Sequence, residues 1–325
     1  MKKLSIIAIV LSTLTLSVQI FIFATGKTND DEIYTQALKN DYRIYSPVLP
    51  DTIKFAGELV PMDVYYVREA LDREILSNMY WHTNTILNMK RAYRHFPVIE
   101  PILKKHGVPS DLKYLAVIES GLLNVTSPAK AQGYWQFIKA TGKKYGLEKT
   151  DEVDMRNSLE ASTEAACKFL KALYAQFGSW TLAAAAYNCG ENGLQRQINL
   201  QSVNNYYDLR LNSETARYVY RIVAVKLIMQ DPQSYGFNLR YKDMYPQIPY
   251  RTVELKGQNV DLYDFAKDNG TTYKMLREMN PWLITNKLVN KENKTYIVKL
   301  PIENGTLLKN IRKSDDMKSE LVTHL

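Results

Sequence analysis

Cysteine is nearly absent from this chain of 325 residues, which has only Cys167 and Cys189. A protein of this length with so few cysteines is held together by burial, and its core is large enough for that. Histidine is also scarce: His82, His95, His106 and His324 are scattered and no C-x-x-C occurs, so no metal site of ordinary spacing is expected. Neither G-x-G-x-x-G nor G-x-x-x-x-G-K is present, which removes the usual phosphate loops, and no cofactor is expected. With 14 Gly, 12 Pro, 46% hydrophobic and 23% charged residues, the composition excludes a collagenous or disordered chain. The net charge is +8, yet the basic residues form no run, so nucleic acid is not an expected partner. An anionic polymer or lipid suits that charge better. Tyrosine is abundant, at 23 residues.

Lys2 and Lys3 precede an uncharged stretch from Leu4 to Gly26, a charged region followed by an apolar one. That is the layout of a secretory signal, and Ala24 ends a tolerable cleavage site. The stretch is also near the length of a spanning helix, about 20 residues. Residues 1–24 therefore read as a signal peptide or a membrane anchor, and residues 4–24 offer membrane association. The expected location is outside the cytoplasm, in the periplasm or cell envelope.

Residues 25–60 read as a poorly ordered lead-in and 61–96 as an N-terminal helical segment. In the latter, Val64, Val67, Leu71, Ile75 and Met79 recur at helical spacing, and a second helix through Ile86, Met89 and Tyr93 ends at Pro97. Ser110 is placed to cap a helix carrying Leu112, Leu115, Ile118 and Leu122. Asn157 with Glu160 resembles a capping box before a helix to Phe177. An alanine-rich helix runs from Trp180 to Asn188, and Asn212 or Ser213 opens another that ends at Asp231-Pro232. Residues 97–236 thus form a mainly α domain. Residues 237–250 read as a linker, 251–301 as strand, helix, helix, strand, and 302–325 as a polar, frayed tail.

One segment points to chemistry. In Leu115-Ala116-Val117-Ile118-Glu119-Ser120-Gly121 a carboxylate follows four apolar residues. Burial would raise its pKa, as a general acid requires; a solvated glutamate on an amphipathic helix fits the same segment. The surrounding motifs extend the pattern: Ser127-Pro128, Gly133-Tyr134-Trp135-Gln136-Phe137, Ala186-Tyr187-Asn188-Cys189-Gly190 and Glu214-Thr215-Ala216-Arg217-Tyr218-Val219. In this order they resemble the lytic transglycosylases of the soluble lytic type, in particular the membrane-bound lytic murein transglycosylase D group.

The resemblance spans roughly residues 97–236 and implies a lysozyme-like helical fold. It implies cleavage of the β-1,4 bond between N-acetylmuramic acid and N-acetylglucosamine, with peptidoglycan glycan strands as the partner. Glu119 takes the place of the single catalytic acid/base, Ser127 and Gln136 of residues that hold the sugar. Tyr187 and Asn188 match the A-Y-N motif, and Tyr218 a tyrosine that closes the site. The implied product is a 1,6-anhydro-muramic end. Ordinary glycosidases need two carboxylates, and no Asp or Glu lies between Glu119 and Gln136. A distant partner such as Asp151 or Glu191 leaves a lysozyme-type hydrolase open. A non-catalytic glycan-binding protein is the alternative outside enzymes.

Two departures from the family pattern stand out. The interval from Glu119 to Ser127 is one residue short, and Cys189 replaces a small residue. Cys167 and Cys189 lie equally far from Gly178 in a helical hairpin, which leaves open both a disulfide and two separate buried thiols. Residues 251–301 resemble a LysM glycan-binding module of βααβ form on Leu262, Phe265-Ala266, Asn269-Gly270, Leu276, Asn280 and Leu300-Pro301. Asn259-Val260 stands where such modules have Gly-Asp, and a glycine near the last strand is missing, so the module reads as degenerate.

Overall fold

A computed structural model describes residues 32–36, 45–303, 305–307, 311 and 321–325. The apolar leader at 4–24 lies outside them. Among the described residues no helix is long and apolar enough to cross a membrane. The chain divides into Met1–Ser46, where residues 32–36 are helical (α1), and Pro47–Leu325.

Pro47–Leu325 opens with an antiparallel hairpin, β1 (Ile53–Phe55) and β2 (Glu58–Val60). This corrects the expected disorder of the lead-in for these residues. Ile53, Phe55 and Val60 are buried in the main core. Ala56 and Gly57 both have positive φ, at 52° and 87°, which makes the two-residue turn of a tight hairpin. The alternation of Ile53, Phe55 and Ala-Gly was the signal for it.

Helix α2 (Tyr65–Tyr80) buries Val67, Leu71 and Ile75. The chain turns at Trp81 into α3 (His82–His106), which continues through Pro97 and Pro101 to end at Gly107 in the left-handed region. Here the structure corrects a helix ending at Pro97. The two prolines are four residues apart and both exposed, so the lost N–H groups fall on one solvent-facing strip. Phe96, Ile99 and Leu103 meanwhile keep the opposite face in the core. The boundary drawn between residues 96 and 97 therefore falls inside one helix.

A 3-10 turn at Ser110–Leu112 leads into α4 (Lys113–Ser120). Ser110 makes no capping hydrogen bond there, contrary to expectation; Asp111 instead accepts from Ala56 N and from Lys226 Nζ at 2.8 and 2.7 Å. After α5 (Lys139–Lys144) comes α6 (Leu159–Phe177), whose cap is Ser158, with Oγ 3.3 Å from Ala161 N, so the Asn157–Glu160 box is also corrected. Next are α7 (Trp180–Cys189), α8 (Glu191–Gln201) and α9 (Ser213–Gln230), the last capped by Asn212 as expected. Ala183 to Ala186 of α7 are all fully buried, and their small side chains allow close approach of α6 and α9.

The segment read as a linker packs on this core through Phe237, Leu239 and Met244. Of the tail, residues 321–325 are held rather than frayed. Val322 is fully buried and its N donates to Leu239 O at 2.7 Å, Leu325 N donates to Met229 O at 2.8 Å, and Tyr114 Oη donates to Leu325 O at 3.1 Å. Val322 is the apolar anchor that a mostly polar composition concealed. The second, smaller core belongs to β3 (Tyr250–Leu255), β4 (Val260–Asp261), α10 (Leu262–Asp268), α11 (Tyr273–Met279), β5 (Lys287–Leu288) and β6 (Tyr296–Pro301). β3 and β6 pair antiparallel from Tyr250↔Pro301 to Leu255↔Tyr296, the expected βααβ form.

Glu58 ties the hairpin to α7. Its carboxylate accepts from the backbone N of Trp180 and Thr181 at 2.5 and 3.0 Å, and from the hydroxyls of Ser179 and Thr181 at 2.8 and 2.5 Å. Ser179 Oγ takes Leu182 N at 3.2 Å, so each of the first three N–H groups of the helix has a partner, with a negative charge at its positive end. Glu58→Ala is expected to lower stability by about 2–3 kcal/mol in urea unfolding, with Glu58→Gln between it and the parent; equal midpoints for all three would contradict this capping role.

Candidate active site

Glu119 occupies the last turn of α4. Leu115, Ala116 and Val117 are buried beside it, and Gly121 follows at φ 61°, ending the helix in the left-handed region. A Cβ at Gly121 would lie 2.9 Å from Asn88 Oδ1, so the left-handed backbone favours glycine and a side chain there would push the Asn88 amide aside. Ser120 Oγ donates to Ala116 O and to Tyr134 O at 3.0 and 2.8 Å, fastening the helix end to the following loop. The Glu-Ser-Gly sequence is thus built into the geometry around the carboxyl group.

Glu119 is half-buried and borders a cleft, with its carboxyl group largely withdrawn from water. Burial pushes its pKa up from 4.5 to about 7, against the opposing pull of the Tyr218 hydroxyl and of Arg221. Tyr218, on α9 and fully buried, donates its hydroxyl directly to Glu119 Oε1. Tyr187 at the end of α7 belongs to the same cluster: Glu119 adds to the effect of burial in raising its pKa. Its hydroxyl is held by Trp135 O at 2.7 Å and its ring packs 5.1 Å from Phe169.

The other expected residues sit one step further out. Gln136 is left-handed, with φ 48°, and its Nε2 donates to Val125 O and Gly133 O at 2.9 and 2.7 Å. A non-glycine residue in this region carries strain, a feature that gathers at functional sites. Ser127 Oγ accepts from Ala131 N at 3.0 Å within its own turn. Asn188 accepts from Thr215 Oγ1 at 2.8 Å and donates to Glu214 Oε1 at 3.2 Å, joining α7 to the start of α9. The structure therefore brings Glu119, Tyr187 and Tyr218 together, with Gln136, Ser127 and Asn188 bracing the loops around them.

The cleft beside Glu119 has a volume of about 680 Å³. Several of its polar walls come from residues that the sequence reading did not single out. Asn78, Trp81, Asn84, Asn88 and Arg91 line the cleft, and their spacing of three and four residues across α2 and α3 was the available signal. Glu214, Arg217 and Arg221 of α9 line it too; Arg221 lies three residues beyond Tyr218 and so shares its helix face. Glu74, buried at the base, is clamped by Arg217 through bonds of 2.7 and 3.0 Å. Asp151 and Glu191, the distant carboxylates considered from sequence, do not border this cleft; Glu191 lies 3.4 Å from Lys144. Among the described residues no cluster of three or more His, Cys, Asp or Glu is placed to hold a metal.

Both cysteines are free thiols. Cys167 is fully buried and burial pushes its thiol up to about 12, so it acts as a small apolar side chain.

Comparison with known proteins finds matches to two family models. Residues 96–209 match the family model described as the transglycosylase SLT domain, and residues 251–304 the soluble lytic transglycosylase C-terminal LysM-like domain. Membrane-bound lytic murein transglycosylase D of Escherichia coli (strain K12) is 33% identical over 183 residues, covering 54% of this chain and 40% of that protein. The same protein of Escherichia coli O6:H1 matches to the same extent. The chain thus spans 40% of the length of these curated relatives. The crystal structure of the 70 kDa soluble lytic transglycosylase from Escherichia coli aligns at 16% identity with a TM-score of 0.37, over 56% of this chain and 32% of that chain. The chain carries a transglycosylase SLT domain followed by a LysM-like domain, and is homologous to membrane-bound lytic murein transglycosylase D.

A carboxyl group whose folded pKa is raised binds its proton in the folded state before the unfolded chain does, so stability falls as pH climbs from 4.5 to about 7. Glu119→Gln removes that penalty. Relative to the parent it is expected to gain stability across this window, on the order of 2 kcal/mol by about pH 8. Urea unfolding at several pH values checks this; a stability difference independent of pH would contradict an enclosed Glu119.

Proposed function

We propose that the protein is a peptidoglycan lytic transglycosylase that cleaves the β-1,4 bond between N-acetylmuramic acid and N-acetylglucosamine with Glu119 as its single acid/base. The observation that carries this reading is the enclosed carboxyl group of Glu119, raised to about 7, at the edge of a cleft in an SLT domain. A group near neutral pKa can give up a proton and take one back at working pH.

In the first step Glu119 protonates the glycosidic oxygen as the bond from the muramic anomeric carbon to that oxygen breaks. The substrate's own N-acetyl group stabilises the cation that develops. In the second step the ionised Glu119 removes the proton of the muramic 6-hydroxyl, whose oxygen bonds to the anomeric carbon. The proton returns to Glu119, a 1,6-anhydro end forms, and no water is consumed. Tyr218 and Arg221 would stabilise the carboxylate between the steps, which is the direction in which both act on its pKa. Tyr187 and Asn188 would hold the end of α7 against the site, while Gln136 and Ser127 would order the loop that meets the sugar.

Peptidoglycan strands are the expected ligand of the LysM-like module as well, where exposed Tyr263 lies 4.3 Å from Tyr273 and offers a ring face to a sugar. We assign the protein to the cell envelope, with residues 1–24 as cleaved signal or anchor. The net charge of +8 suits an anionic wall or membrane surface.

The test is a digest of purified peptidoglycan by the parent protein and by Glu119→Gln, with products weighed by mass spectrometry. Anhydro-muropeptides, absent from the mutant digest, are the expected result. Hydrated reducing ends would replace this reading with a lysozyme-type hydrolase, for which Glu214, which also lines the cleft, is the candidate second carboxylate. Wall binding without cleavage would favour a glycan-binding protein.

A further inference from the structure

The LysM-like module is joined to the SLT domain by more than a linker. Val153, which precedes α6 in the SLT domain, is 1% exposed and lies inside the core of the module with Leu283, Trp282 and Leu300. Around it two segments of the chain pair as a short antiparallel bridge, Val153↔Leu283. Asp154 N donates to Trp282 O and Ile284 N to Glu152 O, both at 2.8 Å. Polar contacts flank this bridge. Glu148 accepts from Lys294 Nζ at 2.9 Å and from Tyr296 Oη at 3.1 Å, Glu152 accepts from Asn290 N at 3.3 Å, and Glu160 pairs with Lys299.

The residue held by that bridge faces the other way with its side chain. Asp154 grips Arg156 through bonds of 2.9 and 2.7 Å, and both side chains are less than a tenth exposed. Arg156 Nη1 then donates to Lys130 O and Phe137 O at 3.2 and 3.1 Å, one carbonyl on either side of the Gly133–Gln136 turn. The turn also rests on this strand directly. A Cβ at Gly133 would fall 1.9 Å from Arg156 O, and Gln132 Nε2 donates to Asn157 Oδ1 at 2.8 Å. On its inner side the same loop presents Tyr134 O to Ser120 and Trp135 O to Tyr187, the neighbours of Glu119.

We propose that the LysM-like module is a fixed buttress of the active-site loop at 130–137, and that Arg156 is the positioning residue through which its docking sets the place of that loop. The bland alternative is an ion pair that only stabilises the fold. It does not explain why the guanidinium bridges two loop carbonyls while its carboxylate partner is hydrogen-bonded through its backbone to the module. A buried charge pair contributes little net stability by itself, and its attested use is to fix geometry. The inference rests on the reading of the Glu119 cleft as the cleavage site.

Three full-length variants test it: Arg156→Lys, which keeps the charge and loses the two-carbonyl bridge; Val153→Thr, near-isosteric, which puts a hydroxyl into the module core; and Glu148→Gln/Glu160→Gln, which removes flanking charges. Amide exchange by mass spectrometry reports on residues 152–154 and 130–137, and kinetics on a soluble glycan fragment report the rate and its pH profile. Val153→Thr and the double variant are expected to speed exchange in both segments together. Arg156→Lys is expected to speed exchange at 130–137 and lower kcat about tenfold. As water reaches Glu119, the limb of the pH profile set by that carboxyl group moves to lower pH, a shift that loss of stability alone would not produce. Faster exchange at 152–154 with 130–137, kcat and the pH limb unchanged would overturn the proposal. Absence of cleavage by the parent protein would instead defeat the cleavage reading, while the exchange data would still decide the buttress.

Discussion

Enclosing one carboxyl group beside a phenol is the constraint around which the rest of this structure is arranged. An ionised carboxylate resists removal from water, and the response is a proton held up to about neutral pH. To keep Glu119 enclosed, α4 must pack tightly, and its buried Leu115, Ala116 and Val117 do that. To set Tyr218 against it, α9 must be fixed along its length, and ten further buried residues on that helix, from Thr215 to Met229, fix it. The alanine-rich α7 brings Tyr187 close because, from Ala183 to Ala186, only methyl groups separate it from its neighbours. Even the hairpin serves this end, since Glu58 secures the first turn of α7 at the opposite end from Tyr187.

Much of this was legible in residue order. The four apolar residues before Glu119, the Ala186-Tyr187-Asn188 run and Tyr218 on an amphipathic helix are local patterns, and the structure gathers Glu119, Tyr187 and Tyr218 into one cluster. The errors were also local in origin. Pro97 looked like a helix end because a missing N–H is visible in a sequence, whereas the solvent-facing strip that tolerates it is not. The hairpin at 53–60 was hidden by its shortness, and the anchoring of Val322 by the polar stretch before it. Ser110 and Asn157 were plausible caps, but Asp111 turns toward Lys226, Asn157 accepts from Gln132, and the adjacent Ser158 takes the helix start.

What no local pattern could convey is the coupling between distant segments. The cleft residues from Glu74 to Arg91 reach Glu119 from well upstream in the chain. The bond from Asp154 to Trp282 joins two domains recognisable separately by composition and motif. A module whose glycan-binding signature is incomplete keeps a core that is finished by Val153 of its neighbour. The shared core lets the module support its neighbour whether or not it also holds glycan. Fold resemblance alone does not reveal such a role, because function lives in the contacts a fold makes.

The central claim is that Glu119 alone serves as acid and then base, which requires a carboxyl group titrating near neutrality. Carbon-13 labelling of glutamate, with the Glu119 resonance assigned by its loss in Glu119→Gln, measures this directly in the free protein. The account requires a midpoint close to 7, far above the 4.5 of an ordinary glutamate. A midpoint near that ordinary value would mean a hydrated carboxylate, deprotonated at working pH, and would contradict the single-residue mechanism at its first step.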